Sequence, residues 1–159
     1  MSSLEEIRND RVKKMELLKG EGVNPYPVSV CHDFSVAETL ENFAKLSKRK
    51  KPFCLAGRVM AIRGHGGSVF FDFFDGTERM QAYIKKDEVG EASHRLFLEA
   101  VDVGDFLEIR GSLFITKKKE KTLKISKWKM AAKALRPLPD KWHGLQDVEE
   151  RFRKRYLDL

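Results

Sequence analysis

Over the first twenty residues the apolar and charged positions recur with helical spacing. Leu4, Ile7, Met15 and Leu18 share one side, and Arg8, Arg11, Lys13, Lys14 and Lys19 occupy the others, which predicts an amphipathic helix over SSLEEIRNDRVKKMELLKGEG. Ser3 with Glu6 forms a capping box at its start, and Gly20 suits its end. Pro25 and Pro27 in NPYPV then force extended backbone. Ser35 with Glu38 caps a second helix, which carries Val36, Leu40, Phe43 and Leu46 and runs out into the basic stretch KLSKRKKP.

From Phe53 the hydrophobic period drops to two. FCLAGRVMAIR is rich in strand formers, and Gly57 within it predicts a bend or bulge. In SVFFDFFDG the pleat sends Val69, Phe71 and Phe73 one way and Phe70, Asp72 and Phe74 the other. RMQAYIK repeats the alternation, with Met80, Ala82 and Ile84 inward and Arg79, Gln81 and Tyr83 outward. SHRLFLEAV reads as a short helix, VGDFLEIRGSLFI as a fourth strand and LKISKWKM as a fifth. The parity slip between Ile125 and Trp128 predicts a bulge near Lys127. Three strands, a helix and two strands, with an early glycine kink, is the order of a five-stranded Greek-key barrel of the OB type.

The expected fold is therefore mainly β with flanking α-helices. A helical extension covers residues 1–52, the barrel 53–136, and a hinge with a linker helix 137–159. In that last segment Leu145, Val148, Phe152, Tyr156 and Leu159 form one apolar stripe that asks for a partner beyond it.

At 159 residues the chain holds one ordinary domain with appended elements and excludes two independent enzymatic domains. Its net charge of +7 and pI near 9.4 favour a polyanionic partner, with a merely well-solvated basic surface as the alternative. No apolar run is long enough to span a bilayer, and MSSLEEIRND lacks the basic flank and apolar block of a secretory signal. A soluble, cytoplasmic protein without a membrane partner is expected. Cys31 and Cys54 lie far apart in sequence with no His cluster at metal spacing, so two reduced, structural thiols are expected and no metal site.

Phe70 is the leading candidate for chemistry. If Val69, Phe71 and Phe73 fill the barrel, Phe70 stands on the outer face with Asp72 and Gln81, where such barrels bind oligonucleotides. An exposed aromatic there stacks a splayed-out base; packing under a loop is the bland alternative. Stacking does not choose among bases, so specificity needs polar groups. Gln81 both donates and accepts, and Arg63 only donates. Uracil offers two carbonyl oxygens flanking one N–H, which this pair satisfies, whereas cytosine sets its amino group against a donor-only Arg. The loop TKKKEKT adds Lys117, Lys118, Lys119 and Lys121 for a phosphate backbone and Glu120 for a base edge, with a solvated hairpin tip as the alternative. Gly64, Gly66 and Gly67 are followed by no helix, so they make no dinucleotide fingerprint and instead let a loop approach a ligand, with His65 among them. No nucleophile elbow, phosphate-binding loop, metal spacing or paired carboxylates are present, so no catalytic residue is expected.

These stretches, GVNPYP, AGRVMAIRGHGGSVFFDFFDGTERMQAYI, VGDFLEIRGSLF and above all AKALRPLPDKWHGLQDVEERFRKRYLDL, resemble the amino-terminal anticodon-binding part of class II lysyl-tRNA synthetases. The resemblance implies that Phe70 stacks the central anticodon uracil, that Arg63 and Gln81 bind its edge, and that Glu120 contacts the anticodon. Where that family often carries a Thr-Gly-Glu turn, this chain has Lys118 and Lys119 before Glu120. It further implies a lysine tRNA as partner, a missing class II catalytic domain after residue 159, a homodimer, and ATP with magnesium serving the whole enzyme but no cofactor in this part. On this reading the chain is an inactive domain fragment or one piece of a split protein. Two rival readings stand beside it: a single-strand binding barrel without sequence preference, which predicts several stacking aromatics, and a protein-interaction module in which Phe70 is core.

Overall fold

The computed structural model describes residues 3–49, 51–64 and 67–138. His65, Gly66 and the expected linker helix lie outside the described residues. The chain opens with α1 (Leu4–Gly20), α2 (Val36–Glu41) and α3 (Phe43–Leu46), followed by strands β1 (Phe53–Arg63), β2 (Ser68–Phe74) and β3 (Arg79–Lys85). Then come α4 (Lys86–Val89), α5 (Glu91–Ala100), β4 (Phe106–Ile115) and β5 (Lys121–Ala132). Both predicted capping boxes form: Ser3 with Glu6 and Ser35 with Glu38 exchange backbone-to-side-chain bonds in both directions. The second helix is broken at Asn42, where the Glu38 carbonyl accepts from both the backbone N–H and the side-chain amide of Asn42.

The strands close a barrel in the order β1-β2-β3-β5-β4, with β3 and β5 parallel and the remaining pairs antiparallel. Pleat alternation holds where it is expected: Val69, Phe71, Phe73, Met80, Ala82 and Ile84 are buried in the interior. Phe97 on α5 reaches this core, its ring 5.3 Å from Phe71 and 5.4 Å from Trp128, so the helix packs onto the barrel with its apolar face inward.

Two irregularities shape the strands. The register of β1 against β2 shifts between Val59 and Ala61, a little beyond the glycine expected to cause it. Gly57 serves a different purpose: a Cβ there would come within 2.8 Å of the Phe73 ring and 3.0 Å of the Phe74 carbonyl, so the glycine permits a close strand approach. In β5, Lys127 pairs with Arg110 and Ile125 with Gly111, which leaves Ser126 as the extra residue beside the position expected for a bulge.

The basic face expected on α1 is partly internal, and this corrects the sequence reading. Arg11 is buried and donates to the carbonyls of Val103 at 3.1 Å, Ala134 at 3.0 Å and Arg136 at 3.1 Å. Lys14 binds Asp102 at 2.7 Å, while Leu4, expected in the apolar stripe, is 72% exposed. A guanidinium carries five donors in a fixed fork, which suits a site where three carbonyls converge. Asp102 also meets Lys133, which has no exposed side-chain surface and bonds Asp105 at 2.7 Å and the Ala100 carbonyl at 2.8 Å. This network ties α1, the end of α5 and the chain leaving β5 into one unit.

Cys31 and Cys54, distant in sequence, stand side by side, and burial together with the Cys31 thiol pushes the Cys54 thiol up to about 11. Cys54 is further clamped through its backbone, accepting from Asp33 N–H at 2.9 Å and donating to the Asp33 carboxylate at 2.7 Å. Among the described residues no helix is long and apolar enough to cross a membrane.

Candidate nucleic-acid interface

Strand register builds the outer face of β1, β2, β3 and β5 as two transverse rows. Arg63 pairs with Phe70, Phe70 with Tyr83 and Tyr83 with Lys124. Ala61 pairs with Asp72, Asp72 with Gln81 and Gln81 with Thr122. Residues opposite one another on paired strands project to the same side. The first row is therefore aromatic with cations at its ends, and the second is polar beyond Ala61. Above them the β1–β2 and β4–β5 loops close a groove of about 610 Å³ whose walls include Arg63, Phe70, Gln81, Lys117, Lys118 and Glu120.

Arg63, Phe70, Gln81, Lys117, Lys118 and Glu120, singled out from the sequence, thus share one groove, whereas Asp72 and Lys121 are not among its lining residues. Nor does Lys119 line it. It stands at φ 64° and its backbone N–H donates to the Thr116 carbonyl at 2.8 Å, closing the turn that presents Lys117, Lys118 and Glu120. Its place in the loop is backbone geometry, at the position where the resembled family often has glycine.

The polar groups are already oriented. Arg63 donates from one terminal nitrogen to Asp72 at 2.7 Å, with the Arg63 side chain 56% exposed, so most of its donors remain available to a ligand. Gln81 Nε2 donates to Glu120 Oε2 at 3.0 Å, and Thr122 Oγ1 donates to Gln81 Oε1 at 2.8 Å. Phe70 is half-buried, with its ring centroid 4.6 Å from that of Tyr83 and the planes 34° apart. Tyr83 in turn lies 5.9 Å from Phe114.

Tyr83 and Phe114 are groove residues that the sequence did not single out. The alternation places Tyr83 outward, and the same alternation through Leu113 in β4 puts Phe114 outward, so the signal is present. Their adjacency is not legible, because it needs the β4–β5 and β3–β5 registers together. Three aromatics on this face also mean that their number no longer separates a base-reading barrel from a non-specific one; the fixed polar row does. Among the described residues no group of His, Cys, Asp and Glu is placed to hold a metal ion.

Comparison with known proteins agrees with this geometry. Residues 53–131 match the tRNA anti-codon family, described as an OB-fold nucleic acid binding domain. The chain is 40% identical over 160 residues to a lysine–tRNA ligase of Thermotoga maritima, covering 98% of this chain and 32% of that protein. Lysine–tRNA ligases of Thermosipho melanesiensis and Pelotomaculum thermopropionicum are each 39% identical, again over 98% of this chain and over 32% and 30% of their own lengths. The chain spans about a third of the length of the curated relatives it matches. With its ring of five strands, its groove and these relatives, the chain belongs to the tRNA anticodon-binding family of OB-fold domains through residues 53–131, and is homologous over nearly its whole length to lysine–tRNA ligases.

Proposed function

We propose that this chain reads the anticodon of a lysine tRNA. Phe70 stacks the central uracil, Gln81 and Arg63 take its edge, Glu120 sits at the anticodon, and Lys117 and Lys118 hold the phosphate backbone. The observation that carries the reading is the convergence of Arg63, Phe70 and Gln81 in one groove with Lys117 and Lys118 on its wall. Stacking supplies affinity that every base shares, and the fixed donors and acceptors supply the choice among bases.

The activity belongs to the whole ligase on this reading: ATP-dependent attachment of lysine to its tRNA, with magnesium, by a class II catalytic domain in a cytoplasmic homodimer. The residues described above supply recognition and no chemical step. Phe70 stands on the outer face and outside the buried core cluster, which makes it separable from the core. Phe70→Ala should weaken binding of a UUU anticodon stem-loop by about tenfold or more, the loss of roughly 1.4 kcal/mol or more of stacking, with the thermal melt nearly unchanged. Equal binding of stem-loops with UUU and UCU at one fixed salt concentration would instead leave a barrel that follows phosphates without reading bases. The three aromatics in the groove serve that second reading equally well.

A further inference from the structure

A glutamine amide does not by itself distinguish uracil from cytosine. With its oxygen toward N3–H and its N–H toward a carbonyl oxygen it matches uracil; turned over, with N–H toward N3 and oxygen toward the exocyclic amino group, it matches cytosine. The two orientations differ by a half-turn about the last side-chain bond, a soft torsion with two equivalent wells. A freely turning Gln81 would therefore accept either base, and selectivity requires that one orientation be held.

We propose that Thr122 and Glu120 hold it, so that Thr122 is a positioning residue for base selection; this rests on the uracil reading given above. Register sets Thr122 directly beside Gln81 on the outer face of the parallel β3–β5 pair. Thr122 has no exposed surface, so its hydroxyl meets the Gln81 oxygen at 2.8 Å without competition from water. At the other end Glu120 Oε2 accepts from Gln81 Nε2 at 3.0 Å. An ionised carboxylate only accepts, so turning the amide over would set the Gln81 oxygen against the Glu120 oxygen with no proton between them. Glu120 thereby dictates the sense of the amide and Thr122 secures its oxygen. The two bonds use one N–H and one lone pair, and the amide retains one of each for a ligand.

Glu120 thus acts through Gln81, whatever its own contact with RNA. The lock also explains why a buried threonine stands beside Gln81, the residue of that row that lines the groove: its partner is the reading side chain.

The test is binding of UUU and UCU anticodon stem-loops to the wild type, Thr122→Val, Thr122→Ser, Glu120→Gln and Gln81→Ala at one salt concentration, with a thermal melt of each. Val keeps the shape of Thr without the hydroxyl, Ser keeps the hydroxyl, and Gln at position 120 accepts either amide orientation. The expected result is that the wild type prefers UUU at least tenfold, that Thr122→Val and Glu120→Gln reduce this to about threefold or less chiefly by binding UCU better, and that Thr122→Ser restores it. Preference retained in both Thr122→Val and Glu120→Gln but lost in Gln81→Ala would overturn the lock and leave the uracil reading standing. No preference in the wild type would overturn both. Glu120 is exposed, so that variant decides the matter even if position 122 proves sensitive to folding.

Discussion

Lys119 holds a backbone angle that a β-carbon makes uncomfortable. At φ 64° it occupies the left-handed region, which costs an ordinary L-residue on the order of 1 kcal/mol relative to glycine. The resembled family often has glycine before the glutamate, a residue that takes this region freely, where this chain has a lysine. Lys119→Gly should therefore raise stability by up to about 1 kcal/mol, read in a urea melt, while leaving the UUU preference in place because its side chain does not line the groove. A drop in stability would mean that the turn is held by the Lys119 side chain and not by the Thr116 bond. The departure at this position is legible in the sequence; that it falls on the one left-handed non-glycine among the described residues is not.

At the scale of elements, α1 is attached by a buried cation as well as by its apolar side, where Ile7 and Met15 are partly buried. Leu18 is its buried apolar residue, and Arg11 supplies the fixed point by donating to carbonyls of the α5–β4 connection and of the chain after β5. Arg11→Ala leaves these carbonyls without their charged donor, at a cost of about 3 kcal/mol. The expected outcome is a lower thermal midpoint with fast amide exchange in α1, while the barrel strands keep their protection. Uniform loss of protection across the barrel would show that α1 and the barrel fold as one unit. The helix itself is predictable because a capping box links residues three apart, whereas the partners of Arg11 are 92 to 125 residues away. Periodicity reports which face is apolar and is silent on a buried cation.

For the whole molecule, charge sets both its acid stability and its salt response. Burial pushes the Asp102 carboxyl up, but hydrogen bonds and charge from Lys133 and Lys14 outweigh it and hold the group below the usual carboxylate range. The unfolded chain then takes up this proton first as the pH falls. The contribution is fully present above the ordinary aspartate value of about 3.9 and is lost as the pH falls through the lower folded value. Urea melts at a series of pH values should show stability falling below about pH 4, with a shallower fall in Asp102→Asn, whose stability is already lower at neutral pH. An unchanged acid limb would assign the loss to other carboxylates. On the binding side, exposed Lys117 and Lys118 line the groove. Replacing both by Gln should reduce the slope of log affinity against log salt by roughly 1.4, two single-strand phosphate contacts, without altering the ratio of UUU to UCU.

Local rules in the sequence suffice for much of this protein. The caps, the prolines, the change of period at Phe53 and the alternation through SVFFDFF and RMQAYIK determine the order of elements and which side chains face outward. Arg63, Phe70 and Gln81 are legible from that linear pattern alone, since each inference spans only a few residues. What the tertiary structure decides is pairing. The parallel β3–β5 contact brings Thr122 and Glu120 onto Gln81 across 41 and 39 residues, and the β-register sets Asp72 on Arg63 and Tyr83 beside Phe114. Such contacts depend on how the barrel closes, and closure is a property of all five strands together.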